Sequence, residues 1–310
     1  MTSRLLQIGL ACLLLAAPSL AQGTIRIETP LVNLNVRVMD GDGRNIVDLA
    51  PADFEVYEDG VRQDLTHFTP MNAPVSLLLL MDFSFSAQDK RKMMKEAAVR
   101  FVESLSPVDR IAIATFTNEL NLGASFTTDR KRLKKAAGKF KDQPTGTKFY
   151  DSMWLSLDLF KPLTGRKAIV VLTDGSDNNL LDPEEFPVKH SFNKLLERIA
   201  EEDVTIYPLY FDTEYEMVDL GKGRETRETF VIARRQLNEI AEQTGGTMFR
   251  VNRIEDLKDV YERVAAELRT LYSMAFSPDK PRHDGSFRKV AVKVRRDRAR
   301  VKTRRGYYDK

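Results

Sequence analysis

Residues 75–81, Val-Ser-Leu-Leu-Leu-Leu-Met, form a near-continuous apolar run. A strand with one wet face alternates apolar and polar residues. A run that leaves no face for water reads as a strand buried on both sides of a parallel sheet. Such a strand obliges the chain to cover both faces with helices, and the sequence downstream does so. Over 89–105, Met93, Ala97, Phe101 and Leu105 recur every fourth residue, with Met94, Ala98 and Val102 beside them, the spacing of a helix with one apolar stripe. Residues 111–116 read as the next strand, and 120–126 as its partner through the turn Thr117-Asn118-Glu119. Further helices are expected over 130–140, 149–160, 193–202 and 230–243, the last stopped by Gly245-Gly246, and from Ile254 to Leu271. Strands are expected over 168–173, 204–210 and 248–251. Alternating strands and helices predict an α/β class chain with a doubly wound, mostly parallel sheet. Residues 212–228 are polar and aperiodic and read as a long surface loop.

The flanks have a different period. Leu31, Leu34, Val36 and Val38 mark a strand before the turn signal Asp40-Gly41-Asp42-Gly43. Phe54, Val56 and Tyr57 mark a second, and residues 61–68 return as a third after Glu58-Asp59-Gly60. Two or three strands are marginal alone, so this unit is expected to complete a small β-sandwich with C-terminal strands. The tail supplies them. Residues 282–310 hold 12 Lys+Arg against 3 Asp+Glu, in a chain whose net charge is only +3. A basic tail can serve nucleic acid or lipid, but Val290, Val292 and Val294 alternate with Ala291, Lys293 and Arg295, the mark of a half-buried strand with a charged outer face. Nucleic-acid binding is therefore not expected.

Residues 1–21 read as a secretory signal peptide: Arg4, an apolar stretch from Leu5 to Ala17, and Ser19-Leu20-Ala21 as the cleavage site. The organisation expected is a signal at 1–21, a β unit at 22–70, the α/β domain at 71–271, and basic strands at 272–310 packing on 22–70. The protein would then be exported, periplasmic or extracellular, without a transmembrane anchor in the mature chain. Cys12 is the only cysteine and would leave with the signal, which suits an oxidising compartment. One Cys and three scattered histidines exclude a disulfide framework and the usual zinc sites.

Open α/β sheets bind ligands beyond the carboxyl ends of their strands. The first buried strand ends in Asp82-Phe83-Ser84-Phe85-Ser86, and the strand at 168–173 ends in Asp174-Gly175-Ser176-Asp177. Thr145-Gly146-Thr147 precedes a helix between them. Two carboxylates and three hydroxyls are hard oxygen donors that suit Mg²⁺, Mn²⁺ or Ca²⁺. Two carboxylates leave such an ion electrophilic enough to accept a third from another molecule. Asp151 and Asp177 read equally well as supports of this site or as helix caps and turn residues, and Trp154 as a core residue.

Asp82-x-Ser84-x-Ser86 followed by Thr147 and Asp174 resembles the metal-ion-dependent adhesion site of von Willebrand factor type A domains. Thr147-x-x-Tyr150-Asp151 and Leu172-Thr173-Asp174-Gly175 fit the same pattern, over about residues 74–270. Phe54 to Gly60, Ala241 to Gly246 and Arg304 to Tyr308 are similar to an exported bacterial group of such proteins. The resemblance implies direct ligation by Ser84, Ser86 and Thr147, with Asp82 and Asp174 binding directly or through water. It also implies a protein partner offering an Asp or Glu carboxylate. One departure stands out: the family usually has Gly or another small residue where Phe85 stands, and Phe83 is bulky too. These aromatics either collar the site or pack into the sheet.

Enzymatic signals are missing. The chain has no GxSxG, no GxxxxGK[ST] and no GxGxxG after a strand. Residues 77–86 superficially resemble the nucleophile strand of haloacid-dehalogenase-type phosphatases, which need a second acid where Ser84 stands. The reading is a metal-dependent adhesion-type module. The alternative is a structural or assembly protein of the cell envelope with a degenerate metal site.

Overall fold

The computed structural model describes residues 31–69, 71–84, 91–139, 146–211, 223–279 and 283–309. The proposed signal peptide, Phe85 and Ser86 lie outside these residues.

The central sheet has six strands in the order β10-β9-β8-β5-β6-β7. These are β5 (Val75–Asp82), β6 (Arg110–Phe116), β7 (Leu120–Thr127), β8 (Arg166–Thr173), β9 (Thr205–Phe211) and β10 (Phe249–Val251). All neighbours are parallel except β6 and β7, joined by the turn expected at 117–119. Every residue of β5 is buried, as its composition demands. Leu77, Leu79 and Met81 face one core, shared with α1 (Arg91–Ser104), α2 (Arg130–Lys139) and α7 (Leu257–Arg269). Leu78 and Leu80 face the other, shared with α3 (Phe149–Asp158), α5 (Phe192–Glu201) and α6 (Gly223–Thr244). A four-residue helix, α4 (Asn178–Leu181), follows β8. Among the described residues no helix is long and apolar enough to cross a membrane.

The N- and C-terminal strands interleave in two antiparallel sheets, β13-β1-β11-β4 and β14-β12-β2-β3. They comprise β1 (Val32–Met39), β2 (Phe54–Glu58), β3 (Val61–Gln63), β4 (Leu65–Thr69), β11 (Tyr272–Phe276), β12 (Phe287–Val294), β13 (Arg300–Lys302) and β14 (Gly306–Tyr308). Their inner faces share one core, in which Phe54 meets Tyr272 edge to face at 5.1 Å between centroids. β12 alternates as its sequence predicts, with Val290 and Val292 inward. Part of the tail's charge is paired inside this unit. Arg295 pairs with Glu55 at 2.8 Å, Arg296 with Asp48 at 2.8 Å, and Arg288 with Asp59 and Asp309 at 3.2 and 3.1 Å.

Two expectations need correction. The single strand expected over 61–68 breaks at Asp64, so that β3 pairs with β2 while β4 pairs with β11 in the opposite sheet. Strands that switch sheets do so at a local break in the ladder, and Asp64 is the kind of residue a ladder tolerates poorly. The aperiodic stretch 212–228 is not loop throughout: α6 begins at Gly223. Its first turns, Gly-Arg-Glu-Thr-Arg-Glu, carry helix-forming polar residues but no apolar stripe. Periodicity cannot detect a helix end whose sequence carries no apolar stripe.

Candidate metal centre

β5 and β8 are adjacent and parallel, so Asp82, which ends β5, and Asp174, which follows β8, emerge together on the carboxyl edge of the sheet. Both are buried, at 2% and 4% exposure, as are Ser84 and Thr147. The chain turns out of β5 through the Asp82 side chain, whose Oδ1 accepts from the Ser84 N–H at 2.9 Å. Its Oδ2 accepts from the Thr173 hydroxyl at 2.7 Å, and the same hydroxyl oxygen accepts from the Gly175 N–H at 2.9 Å. Thr173 thus joins the two acidic loops. Asp174 in turn accepts from the Ser176 N–H at 2.9 Å.

Thr147 comes from the third loop. Its N–H donates to Asn178 Oδ1 at 3.0 Å, and its carbonyl accepts from the Asn178 N–H at 2.9 Å. The following Lys148 N–H donates to the Thr117 carbonyl at 2.9 Å. Loops 82–84, 146–148 and 173–178 are therefore tied into one rim. Of the five predicted ligands, four are placed on it: Asp82, Ser84, Thr147 and Asp174. Ser86 lies outside the described residues. Among the described residues no cluster of three or more His, Cys, Asp or Glu forms a metal site, so any ion held here depends on hydroxyl donors as well.

The electrostatics are those of two acids forced together. Burial, and next the adjacent Asp174 charge, push the Asp82 carboxyl up to about 7 against the opposing hydrogen bonds from Ser84 and Thr173. A donor set of hard oxygens with repelling carboxylates fits a small divalent cation, which would replace the repulsion by attraction.

The supporting residues are only partly legible in the sequence. Asp177 combines both roles left open for it. Its Oδ1 accepts from the Asn179 N–H at 2.9 Å, capping α4, and its Oδ2 accepts from the Tyr150 N–H at 3.0 Å. Lys148, the residue before α3, gives no side-chain cap, so Asp177 caps α3 from another loop. Burial pushes its carboxyl above the usual range. Asp151 instead holds the 189–190 backbone and the His190 ring, with contacts of 3.0–3.2 Å. Trp154 is only partly buried and stacks on His190 at 3.8 Å, with Arg198 4.5 Å from its ring. Arg91, at the start of α1, donates to the Phe83 and Ser84 carbonyls at 2.8 and 3.3 Å. No local pattern singles it out. Phe83 is 2% exposed and belongs to the core beneath the sheet, so of its two readings packing is the observed one. Phe85 lies outside the described residues.

The family model for the von Willebrand factor type A domain matches residues 76–263, more than half of the chain. Among solved structures, a von Willebrand factor type A protein from Catenulispora acidiphila is 15% identical, covering 78% of this chain and 51% of its own, with a TM-score of 0.49. An aerotolerance-related membrane protein from Bacteroides fragilis is 17% identical over 63% of this chain and 98% of its own, with a TM-score of 0.46. Proximal thread matrix protein 1 from the mussel byssus, with a zinc-occupied adhesion-site motif, is 17% identical over 67% of this chain and 48% of its own, with a TM-score of 0.49. No curated protein matches the sequence.

Proposed function

The chain belongs to the von Willebrand factor type A family, and we propose that it is a divalent-metal-dependent protein-interaction module that captures an Asp or Glu carboxylate of a partner. The observation that carries this reading is the pair of buried, mutually repelling carboxylates Asp82 and Asp174 on a rim shared with Ser84 and Thr147. Asp82, Ser84, Ser86, Thr147 and Asp174 would hold the ion, with Mg²⁺ preferred and Mn²⁺ or Ca²⁺ as relatives in donor chemistry. When bound, the ion supplies positive charge for an incoming carboxylate. The protein's own share is positional: Thr173 locks Asp82, Asn178 locks the Thr147 backbone, and Asp177 fixes α3 beneath it. Export to a periplasm or the exterior belongs to the same proposal and rests on residues 1–21.

Calorimetric titration with MgCl₂, MnCl₂ and CaCl₂ tests the ion, and an EDTA-sensitive pull-down compared with Asp82→Ala tests the partner. Heat of binding and metal-dependent capture, both lost in Asp82→Ala, are expected. Absence of both overturns the proposal and leaves an assembly role with a degenerate site.

Asp177→Ala separates support from ligation. It removes the carboxylate that caps α3 and α4 but no proposed ligand. Such outer partners typically account for about 10–100-fold in metal affinity. Calorimetry of this variant should show weakened, not abolished, magnesium binding.

A further inference from the structure

The tail is not the only place where basic residues gather. The tail's arginines 288, 295 and 296 are paired with carboxylates, and Arg305 pairs with Glu242. Helix α2, Arg-Lys-Arg-Leu-Lys-Lys-Ala-Ala-Gly-Lys, holds six basic residues in ten and no acidic one. Its apolar residues Leu133, Ala136 and Ala137 are all buried. Arg130 turns back to the Ser106 carbonyl and Lys134 pairs with Glu103. Lys131, Arg132, Lys135 and Lys139 are exposed, and among the described residues their side chains make no ion pair or hydrogen bond.

These four form one ridge. Lys131, Lys135 and Lys139 are spaced four apart, and Arg132 sits three before Lys135. The fold gains nothing from this arrangement. Like charges at i,i+4 repel, and cations in the first turn oppose the positive end of the helix dipole. Asp129 caps the backbone there, accepting from the Lys131 and Arg132 N–H groups at 2.9 and 3.0 Å, and leaves the side-chain charges outward.

We propose that the α2 ridge is a docking surface for a bilayer of anionic phospholipid headgroups. The chemistry of the ridge selects this occupant over an acidic protein. Protein interfaces centre on desolvated aromatic or apolar anchors and are depleted in lysine, and α2 turns no apolar side chain outward. A plane of headgroups recognises basic charge density and needs no such anchor. The placement also leaves the metal centre free. α2 packs on α1 and along the edge strand β7, whereas Asp82 and Asp174 end the central strands β5 and β8.

Co-sedimentation with vesicles tests this, using the whole protein in EDTA so that the metal centre does not contribute. Binding is expected to phosphatidylcholine vesicles containing phosphatidylglycerol, not to phosphatidylcholine alone, and is expected to fall steeply with added salt. Each of Lys131→Gln, Arg132→Gln, Lys135→Gln and Lys139→Gln should weaken partitioning about fivefold, and the four together should abolish it. Because these side chains are exposed, the combined variant should keep the wild-type unfolding midpoint or exceed it. Equal binding to neutral vesicles, undiminished binding by the combined variant, or capture by soluble polyglutamate without vesicle binding each overturns the proposal, the last in favour of an acidic protein partner.

Discussion

In EDTA at pH 8, Asp82→Asn should unfold at a higher urea concentration than the wild type, and magnesium should no longer move its midpoint. The Asp82 carboxyl is raised from 3.8 to about 7 by burial and by Asp174. A group whose folded pKa lies above its unfolded one contributes its full stability below the unfolded value and loses it as pH rises through the folded value. Wild-type stability without metal should therefore decline between about pH 4 and pH 7, by at most about 4 kcal/mol for a shift of this size. Asparagine keeps the side-chain acceptor for the Ser84 N–H and carries no charge to repel Asp174. It disturbs the Thr173 hydroxyl bond, at a cost of about 1 kcal/mol. The net gain at pH 8 should be roughly 1–3 kcal/mol, with none at pH 4. A dication offsets most of this loss in the wild type. Ligands that bind only the folded state stabilise it by about 3 kcal/mol at a hundred times their dissociation constant, and binding requires the ionised carboxylate. With magnesium at that level, the wild-type decline over this window should shrink from about 4 to about 1 kcal/mol. Urea midpoints at pH 5 and pH 8, with and without magnesium, give the four values needed. A variant less stable than wild type at pH 8 in EDTA would show that the two carboxylates do not repel in the folded state.

What the sequence makes legible is what local patterns encode. β5 is unmistakable because no face of it is polar, and the positions of Asp82 and Asp174 follow from where β5 and β8 end. The alternation in β12 separates a strand from a basic arm. The illegible features depend on contacts between distant segments. Asp64 is a local hint of a break in the ladder, but no local pattern announces that β3 and β4 part into different sheets. Asp177 looks like a turn residue, and its bond to the Tyr150 N–H exists only once two loops meet. Arg91 likewise reaches the Phe83 and Ser84 carbonyls only when α1 is folded against β5. Charge counting points at the tail, where four arginines prove to be paired with carboxylates, and passes over the exposed cations of α2.

Gly175→Ala should cost about 3 kcal/mol and weaken magnesium binding, although Gly175 offers no ligand atom. Its φ is +73°, where a Cβ is strained by about 1–2 kcal/mol. The added carbon would also stand 2.7 Å from Leu237 Cδ1, 3.1 Å from Leu237 Cγ and 3.3 Å from Ala233 Cβ on α6. Leu237 is wholly buried in the core that α6 shares with α3 and α5, so any shift must be made against packed neighbours. Overpacking of this kind adds about 1–3 kcal/mol. The strain has two exits, and both lead to the rim. If the loop gives way, the Gly175 N–H leaves the Thr173 hydroxyl that holds Asp82. If α6 gives way, it carries Gln236, whose Oε1 accepts from the Tyr150 hydroxyl at 2.8 Å, and so pulls on α3. Leu237→Ala distinguishes clash from backbone strain. Alone it should cost about 2–5 kcal/mol through the cavity it leaves. Combined with Gly175→Ala it should cost less than the sum of the two, because the new methyl enters that cavity. Magnesium affinity should recover in the double variant for the same reason. Strict additivity in urea melts would assign the whole effect to the positive φ and remove α6 from the account of how the rim is held.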